Sequence, residues 1–138
     1  MDTYRYSLRE HTGHLLVELP EGTVLVDTGS PVSIGQGGTL SFAGHEVALL
    51  ESYQGATPAD LSRELGTEVS FLLGMDAMRD RDVHFDLGNG MLELLPVPGE
   101  CPADGLPLKL VHGVPALKVQ VVGGRTLAGI RGKLQFAA

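Results

Sequence analysis

"VLVDTGSPVSIG", residues 24–35, runs Val24, Leu25 and Val26 straight into Asp27, Thr28, Gly29 and Ser30. A continuous apolar run of this kind reads as a strand buried on both faces. Ending such a strand on a carboxylate is costly unless hydrogen bonds or a shared charge compensate. The cost is put to use where two carboxyls meet, hold one proton between them and flank a water. One carboxyl then takes a proton from the water while the other, protonated, polarises the scissile carbonyl. Gly29 suits this chemistry because it lets the backbone turn sharply and bring its N–H to the acid. The Thr28 hydroxyl can lock the loop, and Ser30 is placed to hydrogen-bond the outer carboxylate oxygen.

Upstream, Tyr4, Tyr6 and Leu8 alternate with polar residues, as do Leu15, Val17 and Leu19 in "HLLVEL". Both stretches predict strands with one face on a core. The "PEG" turn joins the second of them to the strand that ends at Asp27. Downstream, the glycines of "GQGG" (35–38) are followed by neither a helix start nor a Lys-Ser/Thr pair, so they form a loop rather than a phosphate cradle. "TLSF" and "HEVALL" flank Ala43-Gly44 as a hairpin. "ATPADLSRELG" predicts a two-turn helix with Thr57 as N-cap, Pro58 at the first helical position, Asp60 in the first turn and Gly66 as the stop. "EVSFLLGMDAMRD" predicts an apolar strand that breaks at Gly74 into a brief helix. "DVHFDL" and "MLELL" form a last hairpin, with Asn89-Gly90 supplying its turn.

Composition then changes. Residues 96–107, "PVPGECPADGLP", hold four of the eight prolines and read as a linker. They divide a first unit, 1–95, from a C-terminal β segment, 108–138. Placing "LKVQVVGGRTLAGIRGKLQF" 102 positions after the opening motif sets Val17 on Val119, Leu19 on Val121 and Gly22 on Gly124. On this alignment the chain begins its first motif again, although any two hydrophobic hairpins with a glycine turn align comparably. Asp27 meets Gly129, and a shift of one position puts no acid there.

"LVDTGSPVSIG" and, 47 residues after Asp27, the "LLG" of "LLGMDAMRDRDVHFDLGNGMLEL" occur in an order and spacing that resemble the retropepsin-like aspartic peptidases. In that family one lobe reads apolar-apolar-Asp-Thr-Gly, then a flap hairpin, then apolar-apolar-Gly with a short helix and a final hairpin. The resemblance covers residues 14 to 95. It also extends to a bacterial branch in which a second lobe follows the first, and residues 108–138 would be the incomplete start of one. The resemblance implies a mainly β fold, a closed and orthogonally packed barrel-like lobe with one or two short helices. It implies Asp27 as the catalytic acid, Thr28 as the hydroxyl that grips its counterpart across a dyad, and Gly29 and Ser30 as the surrounding hydrogen-bonding shell. Leu72, Leu73 and Gly74 would form the crossing segment that supports the loop. A flap is expected between residues 39 and 55, with Phe42 and Tyr53 as its candidates, although both also read as core or rim aromatics. Asp76, Asp80, Asp82 and Asp86 read as solvated charges at the periphery of the lobe.

One Asp-Thr-Gly supplies one carboxyl, so catalysis requires a second copy to bring its own Asp27 across a two-fold axis. The resulting expectation is an aspartic endopeptidase that acts on peptides or proteins as a homodimer. The alternative is an inactive or truncated β domain that binds peptides or associates with proteins by strand addition. The 138-residue chain is 43% hydrophobic, enough for one core, and its formal charge of −7 argues against nucleic acid as a partner. Its five histidines are scattered and Cys101 is the sole cysteine, so neither a metal site nor an internal disulfide is expected, and no cofactor. No basic head with an apolar run opens the chain and no apolar stretch reaches spanning length, which leaves a cytoplasmic protein without a membrane partner as the expectation.

Overall fold

A computed structural model of the chain describes residues 2–96, 105–106, 109–121, 125–131 and 136–137. Most of the linker expected over 96–107, Cys101 with it, lies outside the described residues. The first meander is β1 (Tyr4–His11), β2 (His14–Leu19) and β3 (Gly22–Val26), followed by the short β4 (Ser33–Ile34) and the hairpin β5 (Thr39–Phe42) and β6 (His45–Leu50). Helix α1 (Pro58–Leu65) precedes β7 (Phe71–Leu73), a 3-10 turn at Met75–Ala77, and the hairpin β8 (Asp82–Asp86) and β9 (Met91–Leu95). The C-terminal segment holds β10 (Lys109–Val111), β11 (Val114–Val121), β12 (Arg125–Arg131) and β13 (Phe136–Ala137). The molecule is mainly β, as its alternating sequence predicts.

Its principal sheet has the order β13-β8-β9-β1-β2-β3-β7-β4-β6-β5. The sheet curls on itself: the Tyr6 hydroxyl of β1 accepts the Ala43 N–H at 2.9 Å, and the Arg81 guanidinium donates to the Ala43 carbonyl. Tyr6 also stacks on Phe42, with ring centroids 4.7 Å apart. The tip of the β5–β6 hairpin is therefore fastened to a strand near the other end of the sheet. Inside the curl lies the larger core, where Val24, Val26, Leu73, Met75, Phe85, Leu92 and Leu94 pack with Phe42.

The outer face carries a second, smaller core made of Leu16, Leu25, Ile34, Leu65, Val69 and Leu72. α1 places Leu65 there, with Leu61 packed alongside. This cover corrects the one-sided reading of β2, because Leu16 is as fully buried as Val17. For β3, expected to be buried on both faces, Val24 and Val26 point into the larger core and Leu25 into the smaller. Burying three such side chains is worth about 1.5–3 kcal/mol each relative to exposure.

The helix has the ends that its sequence announces. Thr57 accepts the Asp60 N–H while the Asp60 carboxylate accepts the Thr57 N–H at 3.0 Å, a capping box, and Gly66 ends the helix in the left-handed region. β7 is shorter than the expected strand, because Glu68 is exposed and pairing with β3 starts only at Phe71. The last hairpin turns through four residues, 87–90, rather than Asn89-Gly90 alone, and the Asp86 carboxylate closes it by accepting from both the N–H and the side-chain amide of Asn89.

In the C-terminal segment β10, β11 and β12 form a separate antiparallel sheet in that order, the same succession as β1, β2 and β3. The first turn of each meander has the same left-handed pair, Thr12 and Gly13 at φ 49° and 83° and His112 and Gly113 at φ 50° and 81°, a turn geometry that Ala43-Gly44 and Gln54-Gly55 also adopt. These turns stand 100 positions apart, and β11 is two residues longer than β2. β13 leaves this sheet to lie parallel to β8.

Candidate functional site

Three strands build the site. β7 runs parallel to β3, with Leu25 opposite Leu72 and Val26 opposite Leu73, and on its other side Leu72 pairs antiparallel with Ile34 of β4. The crossing segment thus lies between the strand that delivers Asp27 and the strand that leads away from it. Leu72 and Leu73 point to opposite cores, which fixes the strand's rotation about its own axis. The Leu73 carbonyl accepts the Asp27 N–H at 2.9 Å, and the Met75 N–H donates to the Ser30 carbonyl at 2.8 Å. Both ends of the Asp27–Ser30 loop are consequently tied to the residues that flank Gly74.

Gly74 occupies a place where no side chain fits. A Cβ there would fall inside van der Waals distance of the Val32 and Ser30 carbonyl oxygens, which are backbone and cannot swing away. The apolar-apolar-Gly pattern is thus a requirement of close approach between two chain segments.

Within the loop, the Asp27 carboxylate is half-buried and its Oδ1 accepts the Gly29 N–H at 2.8 Å. The Ser30 N–H turns back to the Asp27 carbonyl at 3.1 Å. Oδ2 accepts no hydrogen bond among the described residues, so one carboxylate oxygen is held and the other remains available to a proton, a water or a second carboxyl. Ser30 departs from its expected role, because its hydroxyl donates to the Val32 carbonyl at 2.6 Å instead of to the outer oxygen of Asp27. Thr28 is 8% exposed, and its hydroxyl has no hydrogen-bond partner among the described residues.

The two flap candidates, Phe42 and Tyr53, both pack against a core. Phe42 is 1% exposed in the larger core, and its hairpin tip is pinned to Tyr6, so it is a wall residue that cannot reach over Asp27. Tyr53 is partly buried against the smaller core and forms a bridge with Ala56. Sequence alone could not separate a hairpin that overhangs a site from one whose tip is fastened across a curled sheet, since both show the same alternation and the same turn.

Asp76 overturns the expectation of a solvated charge. Its Oδ1 accepts the Ser33 hydroxyl at 2.7 Å and its Oδ2 the Ser33 N–H at 3.1 Å, while the Ser33 Oγ accepts the Gly74 N–H at 2.9 Å. Asp80 is exposed as expected. The signal for this network was present: Ser33 interrupts the apolar pair Val32 and Ile34, and a hydroxyl at 0% exposure must find partners. What sequence could not supply was the partner, which lies 43 residues away and is brought there by the crossing of β7.

Among the described residues no three His, Cys, Asp or Glu side chains converge where a metal ion could be held, and no helix is long and apolar enough to cross a membrane. No protein-family model, curated protein or solved structure matches the chain.

Proposed function

We propose that the chain is one lobe of an aspartic endopeptidase of the retropepsin-like kind, and that it acts on peptides as a homodimer. The observation that carries this reading is the single half-buried carboxylate at the end of β3, with one oxygen held by the Gly29 N–H and the other open, on a loop tied at both ends across Gly74. Such a group is rigidly presented yet chemically incomplete. A second Asp27 facing it would share one proton with it and activate a water between them.

The test is hydrolysis of a fluorogenic peptide library by the full chain at acidic pH, with light scattering on the same sample. Cleavage by a dimer, lost on the order of 10⁴-fold in Asp27→Asn without loss of fold, is the expected outcome. A protein that stays monomeric at high concentration and neither cleaves peptides nor binds a pepstatin-type inhibitor excludes it.

One observation favours a second reading. The His112–Gly113 turn packs on Pro31, so the C-terminal segment returns to the Asp27 loop and competes with a second copy for access to it. The chain would then be an inactive or truncated lobe serving peptide binding or protein association.

A further inference from the structure

We infer that Asp76 is a positioning residue for Asp27, acting through Ser33 and Gly74. The inference rests on the peptidase reading, since it assigns Asp76 a part in turnover. It begins from polarity. The Ser33 Oγ accepts from the Gly74 N–H, so its own proton is directed outward, and it goes to Asp76 Oδ1. The Ser33 N–H reaches Oδ2 of the same carboxylate. Two donors converge on one side chain, and the two oxygens of a carboxyl group offer an acceptor for each. An asparagine would turn its NH₂ toward one of the two, leaving a donor at fully buried Ser33 without a partner.

Gly74 is the point through which this network meets the site. Its neighbour Leu73 holds the Asp27 N–H, and its other neighbour Met75 holds the Ser30 carbonyl. A rotation or shift at Gly74 is therefore passed to both ends of the loop that carries Asp27. The carboxylate must face its counterpart within hydrogen-bonding tolerance, and misplacement by about an ångström costs on the order of 100-fold in rate. A merely local stabiliser would have no preference for this loop. Asp76 is also reachable, because it lines a cavity of about 450 Å³ together with Asp2, Tyr4, His45, Asp80 and Arg81. These are the titratable and charged groups that face it.

Asp76→Asn and Ser33→Ala in the full chain test the inference. Each is expected to lower kcat on the order of tenfold with KM within about twofold of wild type. The amide resonances of Asp27, Gly29, Ser30 and Gly74 should shift, while those of β8 and β9 do not. Folded variants with unchanged kcat and unshifted loop amides overturn the assignment.

A second measurement leaves the network intact and guards against variants that fail to fold. In Asp27→Asn, which removes the loop's own carboxyl, the Gly29 and Gly74 amides are followed from neutral to acidic pH beside the side-chain carboxyl carbons of Asp2, Asp76 and Asp80. Loop amides that move with the Asp76 carboxyl support the coupling; loop amides that stay flat while it protonates, or that follow Asp2 or Asp80, overturn it. A wild type that cleaves nothing sinks the peptidase reading, and with it the role in turnover, whereas this measurement still decides whether Asp76 and the loop are coupled.

Discussion

Gly113 lies against Pro31: a Cβ added at the glycine would stand 3.1 Å from the Pro31 Cβ. The contact joins the first turn of the C-terminal meander to the loop four residues beyond Asp27. Replacing Gly113 by alanine puts a methyl group 3.1 Å from the Pro31 Cβ, at a backbone φ of 81° that L side chains rarely adopt, and so loosens the turn from the loop. Amide exchange in Val111–Val114 should accelerate, with global stability changed by less than about 1 kcal/mol. If the turn competes with a second copy for the Asp27 loop, the same variant will also raise the dimer fraction seen by light scattering.

Gly74→Ala places a methyl group against two backbone carbonyls. Relief requires β7 to separate from β4, so the cost should reach about 3 kcal/mol, at the upper end for overpacked sites. Urea denaturation with an unchanged m-value measures it. A loss below about 1 kcal/mol would show that the crossing is looser than the geometry indicates.

Phe42→Ala separates a wall residue from a flap residue. Loss of a fully buried ring stacked on Tyr6 should destabilise the fold by about 3–5 kcal/mol. Near-wild-type stability with a raised KM would return Phe42 to the role of a flap.

The capping box of α1 predicts a pH dependence. The Thr57 backbone N–H, then the Thr57 hydroxyl, hold the Asp60 carboxyl below its ordinary range, and Arg63 adds to the effect. A carboxyl whose folded-state value is lowered contributes its full stability above the ordinary carboxylate range, and loses it as pH falls through the lowered value. Thermal melts from pH 7 downward should therefore show wild type and Asp60→Asn converging in acid, with wild type ahead at neutral pH. At neutral pH, Thr57→Ala should cost about 1 kcal/mol.

Much of the architecture was legible because it depends on neighbours in sequence. The α1 termini, the β5–β6 turn and the double burial of Val24–Val26 all follow from local chemistry and short-range periodicity. The four-residue turn after Asp86 was misread because the closing contact comes from a side chain preceding the glycine motif. Ser30 was misread for a similar reason: its hydroxyl finds a carbonyl two residues away, closer to hand than the carboxylate. The place of Phe42 in the core was one of its two sequence readings, but its stacking partner Tyr6, 36 residues distant, was not, and Asp76 was beyond local reasoning altogether, since Ser33 is 43 residues distant.

The sequence by itself determined that a buried strand ends on Asp27, that glycine is placed at position 74, and that no Asp-Thr-Gly stands in residues 108–138. These are matters of residue type, and residue type limits what a position can bury or ionise. Only the tertiary structure decided that β7 passes between β3 and β4, and that this crossing sets Asp76 on Ser33 and fastens both ends of the Asp27 loop. Hydrogen bonds are short and directional, so which carboxylate is held and which is left open depends on where distant segments meet.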